Sequence, residues 1–134
     1  MRLLFVYYPL YFLAGIVIFS ACNSSNTLSK DETLVGTWTL SAINGEEVET
    51  KEGLQFSPNK QYFLVDSQGR SVPRLIEKIW EINADTLTLI DYNWEPDFIE
   101  KNGTFVYHIE AIKEDYLRLR LMNKKEETVT EYKR

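Results

Sequence analysis

Residues 34–45 read Leu34-Val35-Gly36-Thr37-Trp38-Thr39-Leu40-Ser41-Ala42-Ile43-Asn44-Gly45, and this stretch decides the fold. Trp38, Leu40 and Ala42 alternate with Thr37, Thr39 and Ser41, the two-residue period of a strand with one buried face. Asn44-Gly45 then marks a tight turn, because both residues tolerate a positive φ. Gly36 lies two residues before a large indole and leaves room for a close approach that a Cβ would obstruct. The chain therefore enters a β-domain at Leu34.

The pattern continues to the last residue. Leu54 and Phe56 share a face in 53–57, and Ser57-Pro58-Asn59-Lys60 returns the chain into a strand over 61–66. A strand over 74–82 brings Trp80 and Ile82 to one side; Asn83-Ala84-Asp85 turns it into 86–91, where Leu87 and Leu89 point inward. Phe105, Tyr107 and Ile109 alternate with Val106, His108 and Glu110 over 104–112. Leu117, Leu119 and Leu121 alternate with Arg118 and Arg120 over 116–122, and a last strand surrounds Val129 over 127–133. Residues 92–103 carry Pro96 and Gly103 and read as a long loop displaying Tyr92, Trp94 and Phe98. Loop aromatics of this kind cover a barrel mouth, meet a partner or fold back as a satellite core. Eight short strands joined mostly by hairpin-length turns predict an all-β, eight-stranded antiparallel up-and-down barrel. A sandwich is the competing architecture, but it usually needs longer crossovers.

The 134 residues suit one domain after a leader. Aromatic residues are 13% of the chain, enough to supply a substantial core, and 15 basic against 20 acidic residues give a net charge of −5. That balance argues against a nucleic-acid partner, whose binding proteins carry clustered positive charge.

Upstream of the barrel, residues 3–21 contain no charge, follow Arg2 and end directly before Cys22. This is a signal-peptide layout over 1–21. An uncleaved transmembrane anchor is the alternative, since 19 apolar residues can span a bilayer. Phe19-Ser20-Ala21-Cys22 resembles the bacterial lipobox, which implies that Cys22 becomes a lipidated first residue. Cys22 is also the sole thiol and can form no intrachain disulfide. Residues 22–33 then read as a flexible tether and 34–134 as the barrel domain. The protein is expected in a bacterial cell envelope, held by lipid at the outer membrane.

Behind that lipobox, Leu34-Val35-Gly36-Thr37-Trp38 with Leu40 and Asn44-Gly45 is similar to the opening of small bacterial lipocalin-like lipoproteins, whose first strand carries Gly-x-Trp. The segments 80–89, 107–109 and 117–119 also resemble hairpins of that family. The resemblance spans 34–134 and implies a lipocalin-like barrel. It further implies an arginine near the final strands stacked on the first-strand tryptophan, a place that Arg118 or Arg120 could fill. Their alternation, however, points both outward, toward ion pairs with Glu127 and Glu131.

Little in the sequence points to catalysis. His108 is the only histidine and faces away from Tyr107 and Ile109, with no second His or Cys to complete a zinc site. Glu77 and Glu81 share a strand face, where water-facing acids are commoner than a glycosidase pair. Residues 91–97 space oxygen-bearing side chains as calcium loops do, but Pro96 and Asn102 stand where an EF-hand needs Gly and Glu. No enzyme, cofactor or metal is expected. The expected activity is non-catalytic binding of a small apolar or amphipathic ligand, with Trp38, Phe56, Tyr62, Trp80, Trp94, Phe105 and Tyr107 as candidate lining residues. An eight-stranded barrel can also fill with its own side chains. A filled core would make the protein an interaction or inhibitor module for an envelope protein.

Overall fold

The computed structural model describes residues 28–72, 76–95 and 98–134, so the leader and Cys22 lie outside the described residues. A short helix α1 (Lys30–Leu34) precedes β1 (Gly36–Ile43), β2 (Glu46–Glu47), β3 (Gly53–Phe56), β4 (Tyr62–Val65), β5 (Ile76–Asn83), β6 (Thr86–Glu95), β7 (Phe98–Ile112), β8 (Tyr116–Leu121) and β9 (Val129–Lys133). The sheet order is β4-β3-β1-β9-β8-β7-β6-β5, with β2 pairing only to β1. Every pairing is antiparallel, and β1 joins β9. Eight strands thus make the nearly closed up-and-down barrel that the period-2 pattern predicts.

Among the described residues, the wall between β4 and β5 closes locally rather than along a full ladder. Gln61 bridges Ile79, and the Trp80 N–H donates to the Lys60 carbonyl at 2.8 Å. Asn44 and Gly45 adopt φ of 49° and 83°, as the Asn-Gly turn requires. The first strand buries Trp38 completely and Ala42 almost so, while Leu40 is half-buried against the same core.

The end of the barrel at the start of β1 is plugged. α1 crosses it, with Leu34 fully buried and the indole N–H of Trp38 donating to the Leu34 carbonyl at 2.7 Å. Ser29 and Glu32 form a reciprocal capping box at the helix start, satisfying two of its free donors. Lys30 and Asp31 tie the helix to Asp85 and Lys60. The predicted tether therefore ends earlier than expected, and Leu34 closes a helix rather than opening a strand. The reason is local: a charged stretch without hydrophobic period still forms a turn of helix when its cap is complete and its last residue is buried.

Arg134 supplies the arginine on the first-strand tryptophan. Its guanidinium lies 4.2 Å from the Trp38 ring centroid and donates to the carbonyls of Thr33 and, at 2.7 Å, Val35. Arg118 and Arg120 face outward instead, bonding Glu110, Glu131 and Glu127. The hydrogen bond from Arg120, joined by Arg118, holds the Glu110 carboxyl below its ordinary range. Gly36, at φ 130°, faces the Arg134 guanidinium so closely that an added Cβ would sit 3.3 Å from it. The same added atom at Gly53 would meet the Trp38 carbonyl oxygen at 1.9 Å, so β1 and β3 can pair there only around glycine.

The predicted loop over 92–103 is mostly strand. β6 and β7 stay paired out to Glu95 and Phe98, with a register shift at Asp91/Tyr92. Tyr92, Trp94, Phe98 and Ile99 have strong strand preference, and the pairing carries them past the glycine that suggested a break. The bulge is how the ladder accommodates the change.

Candidate functional site

The inward side chains divide into two zones. Toward the α1 end, Trp38, Phe56 and Trp80 are fully buried, with Phe56 and Trp80 edge to face at 5.8 Å between centroids. Phe56 sits opposite Gly36, the first residue of β1, which places this packing at the plugged end. Beyond it toward the other end lies a cavity of about 590 Å³. Side chains from β1, β3, β4, β5, β6, β7 and β9 line it, so it occupies the barrel interior.

Tyr62, Phe105 and Tyr107 line this cavity, as their inward positions on β4 and β7 predict. Trp38, Phe56 and Trp80 do not; they are fully buried in the core beside it. The backbone of Trp94 lies in β6 opposite Ile99, and its side chain lies outside the described residues. The rest of the wall is largely aliphatic, including Leu40, Leu54 and Leu89. Leu64 and Val72, both exposed, border the cavity at its rim.

Besides the exposed Glu52, two charged residues outside the predicted lining face into this apolar space. Lys78 on β5 lies directly opposite Asp91 on β6, two residues from the Trp80–Leu89 pair and therefore on the same inward face. Lys78 Nζ donates to Asp91 Oδ2 at 2.8 Å, and the Tyr62 hydroxyl donates to the other carboxylate oxygen. The Lys78 ammonium also lies 5.5 Å from the Tyr62 ring centroid. Both charged side chains are about one-sixth exposed, at 15% and 16%. The signal was available in the alternation: once Trp80 and Leu89 point inward, Lys78 and Asp91 must as well.

The neighbouring tyrosines keep their protons. Burial, with a contribution from nearby Tyr132, pushes the Tyr107 hydroxyl up to about 12, and burial raises Tyr132 too. At neutral pH the wall thus presents neutral phenols and the Lys78–Asp91 ion pair, with the exposed Glu52 side chain also bordering the space. His108 is exposed on the outer face. Among the described residues no group of three or more His, Cys, Asp or Glu side chains is arranged to hold a metal ion. No helix among the described residues is long and apolar enough to cross a membrane. Comparison of the sequence with models of known families and with curated proteins found no match.

Proposed function

We propose that the protein is a non-catalytic carrier of a small amphipathic molecule, taken into the barrel beside Lys78 and Asp91 and held by lipid at Cys22 to a bacterial cell envelope. The observation that carries the first part is the cavity of about 590 Å³ with largely aliphatic and aromatic walls and a few convergent polar groups. Small-molecule sites are built this way, commonly at roughly 300–1,000 Å³. Because Trp38, Phe56 and Trp80 fill the α1 end, the ligand occupies only the opposite half. The anchor rests on the layout of residues 1–22 and on their resemblance to a lipobox.

Equilibrium dialysis of radiolabelled decanol against the full-length protein in amphipol, with empty amphipol as the blank, tests the cavity. Stoichiometric retention is expected. Leu64→Trp should fold, because Leu64 is 46% exposed at the rim, and should lower affinity at least about tenfold by occupying the mouth. Equal retention by both proteins, or none by the wild type, would overturn the carrier reading. The anchor has a separate test: a fatty-acid analogue fed to cells should label the full chain and leave Cys22→Ser unlabelled, and label on the serine variant rules the anchor out.

A further inference from the structure

Resting on the carrier reading, the next step is the chemistry of the ligand's polar end. Lys78 and Asp91 are the two charged side chains that pair across the cavity wall, with Glu52 a further carboxylate lining the cavity. An ammonium offers three donors and a carboxylate about four acceptor sites, so the 2.8 Å ion pair and the Tyr62 hydroxyl exhaust neither group. What remains at the pair is a surface that both donates and accepts hydrogen bonds and whose two charges already cancel.

We propose that the Lys78–Asp91 pair selects an uncharged amphiphile, whose hydroxyl or amide head hydrogen-bonds to both residues while its apolar body lies against Leu54, Leu89 and Phe105. A carboxylate head on the spare donors of Lys78 would lie beside Asp91, two anions sharing one partly buried cation. An ammonium head on the spare acceptors of Asp91 would likewise crowd Lys78, and Glu52, exposed to solvent, offers it only a screened contact. Either arrangement leaves one partly buried charge without a partner of its own, which is the costly outcome for such groups. A neutral head uses the spare donors and acceptors and leaves the pair intact.

The test uses three labelled ten-carbon probes, decanol, decanoate and decylamine, dialysed against the full-length protein at about pH 7.5, where the latter two are charged. Decanol should bind at least about tenfold more tightly than either. Decanoate or decylamine binding as well as decanol would overturn this inference while leaving the carrier reading in place. Retention of none of the three would overturn both. Two variants separate selection from a merely structural pair. Asp91→Asn leaves Lys78 as a lone cation and should move the preference to decanoate. Lys78→Met leaves Asp91 as a lone anion and should move it to decylamine. Folded variants that keep the wild-type order of preference would refute the role of the pair. Should either variant fail to fold by circular dichroism, the order measured on the wild-type protein still decides.

Discussion

Trp38→Ala is expected to destabilise the full-length protein by about 3–5 kcal/mol, the range for truncating a fully buried tryptophan. Three contacts converge on this ring. Its N–H serves the Leu34 carbonyl at 2.7 Å, the last carbonyl of α1; its face carries the Arg134 guanidinium; and its edges fill the plugged end of the barrel. Arg134 in turn holds the carbonyls of Thr33 and Val35, so loss of the ring loosens the helix as well as the core. Set against typical total stabilities of about 5–15 kcal/mol, the change removes much of the margin. Trp38→Phe should cost less than the alanine variant, because it keeps apolar volume but leaves the Leu34 carbonyl without its donor, a loss of about 1–3 kcal/mol. Denaturant unfolding measures both variants. Hydrogen exchange at residues 31–35 should accelerate in each well before global unfolding. A shift under about 1 kcal/mol for the alanine variant would mean that this ring is not core.

The barrel was legible because period-2 alternation is a strong signal wherever one face is buried. Leu117-Arg118-Leu119-Arg120-Leu121 could hardly be anything but a strand, and Asn44-Gly45 named its own turn. What escaped was of two kinds. The plug depends on contacts distant in sequence: Ser29 and Glu32 spell a capping box, but only the meeting of Leu34, Trp38 and Arg134 in space makes five residues of helix stable. Likewise the arginine on the tryptophan comes from beyond β9, not from β8, where alternation already turned Arg118 and Arg120 to the outside. The second kind was a bias toward residue type. Inward alternation marks large rings alike as lining candidates, yet Trp38, Phe56 and Trp80 pack the plugged end while Tyr62, Phe105 and Tyr107 border the open space beyond it. Lys78 and Asp91 are hard to place inside from sequence because charged residues are almost never buried unless paired, and the pairing becomes visible from the β5–β6 register. Pro96 and Gly103 weighed against regular structure in 92–103, where strand preference and the ladder to β7 prevailed.

The seam between β4 and β5 gives the second large effect: Trp80→Ala should also cost about 3–5 kcal/mol, but its damage should appear in a different place. The backbone N–H of Trp80 reaches Lys60, its indole N–H donates to the Ser57 carbonyl at 3.1 Å, and its ring packs edge to face on Phe56. The Lys60 ammonium lies 4.0 Å from the ring centroid while also pairing with Asp31 of α1. A full ladder would hold two strands by many backbone bonds; here, among the described residues, Gln61–Ile79 is an isolated bridge, and side-chain bonds from Trp80 to Ser57 and from Gln61 to Glu77 add to it. Removal of the Trp80 side chain should therefore open the wall at 57–62 while β6 to β9, whose ladders are long despite their bulges, stay protected. Hydrogen exchange on the full-length variant would show fast exchange at 60–62 and 79–80 with near wild-type protection at 117–121. Because Tyr62 holds Asp91 from the same short strand, an opened seam should also weaken decanol retention. Uniform loss of protection across all strands would instead mean that the barrel melts as one unit and that Trp80 is ordinary core, with no special part in closing the wall.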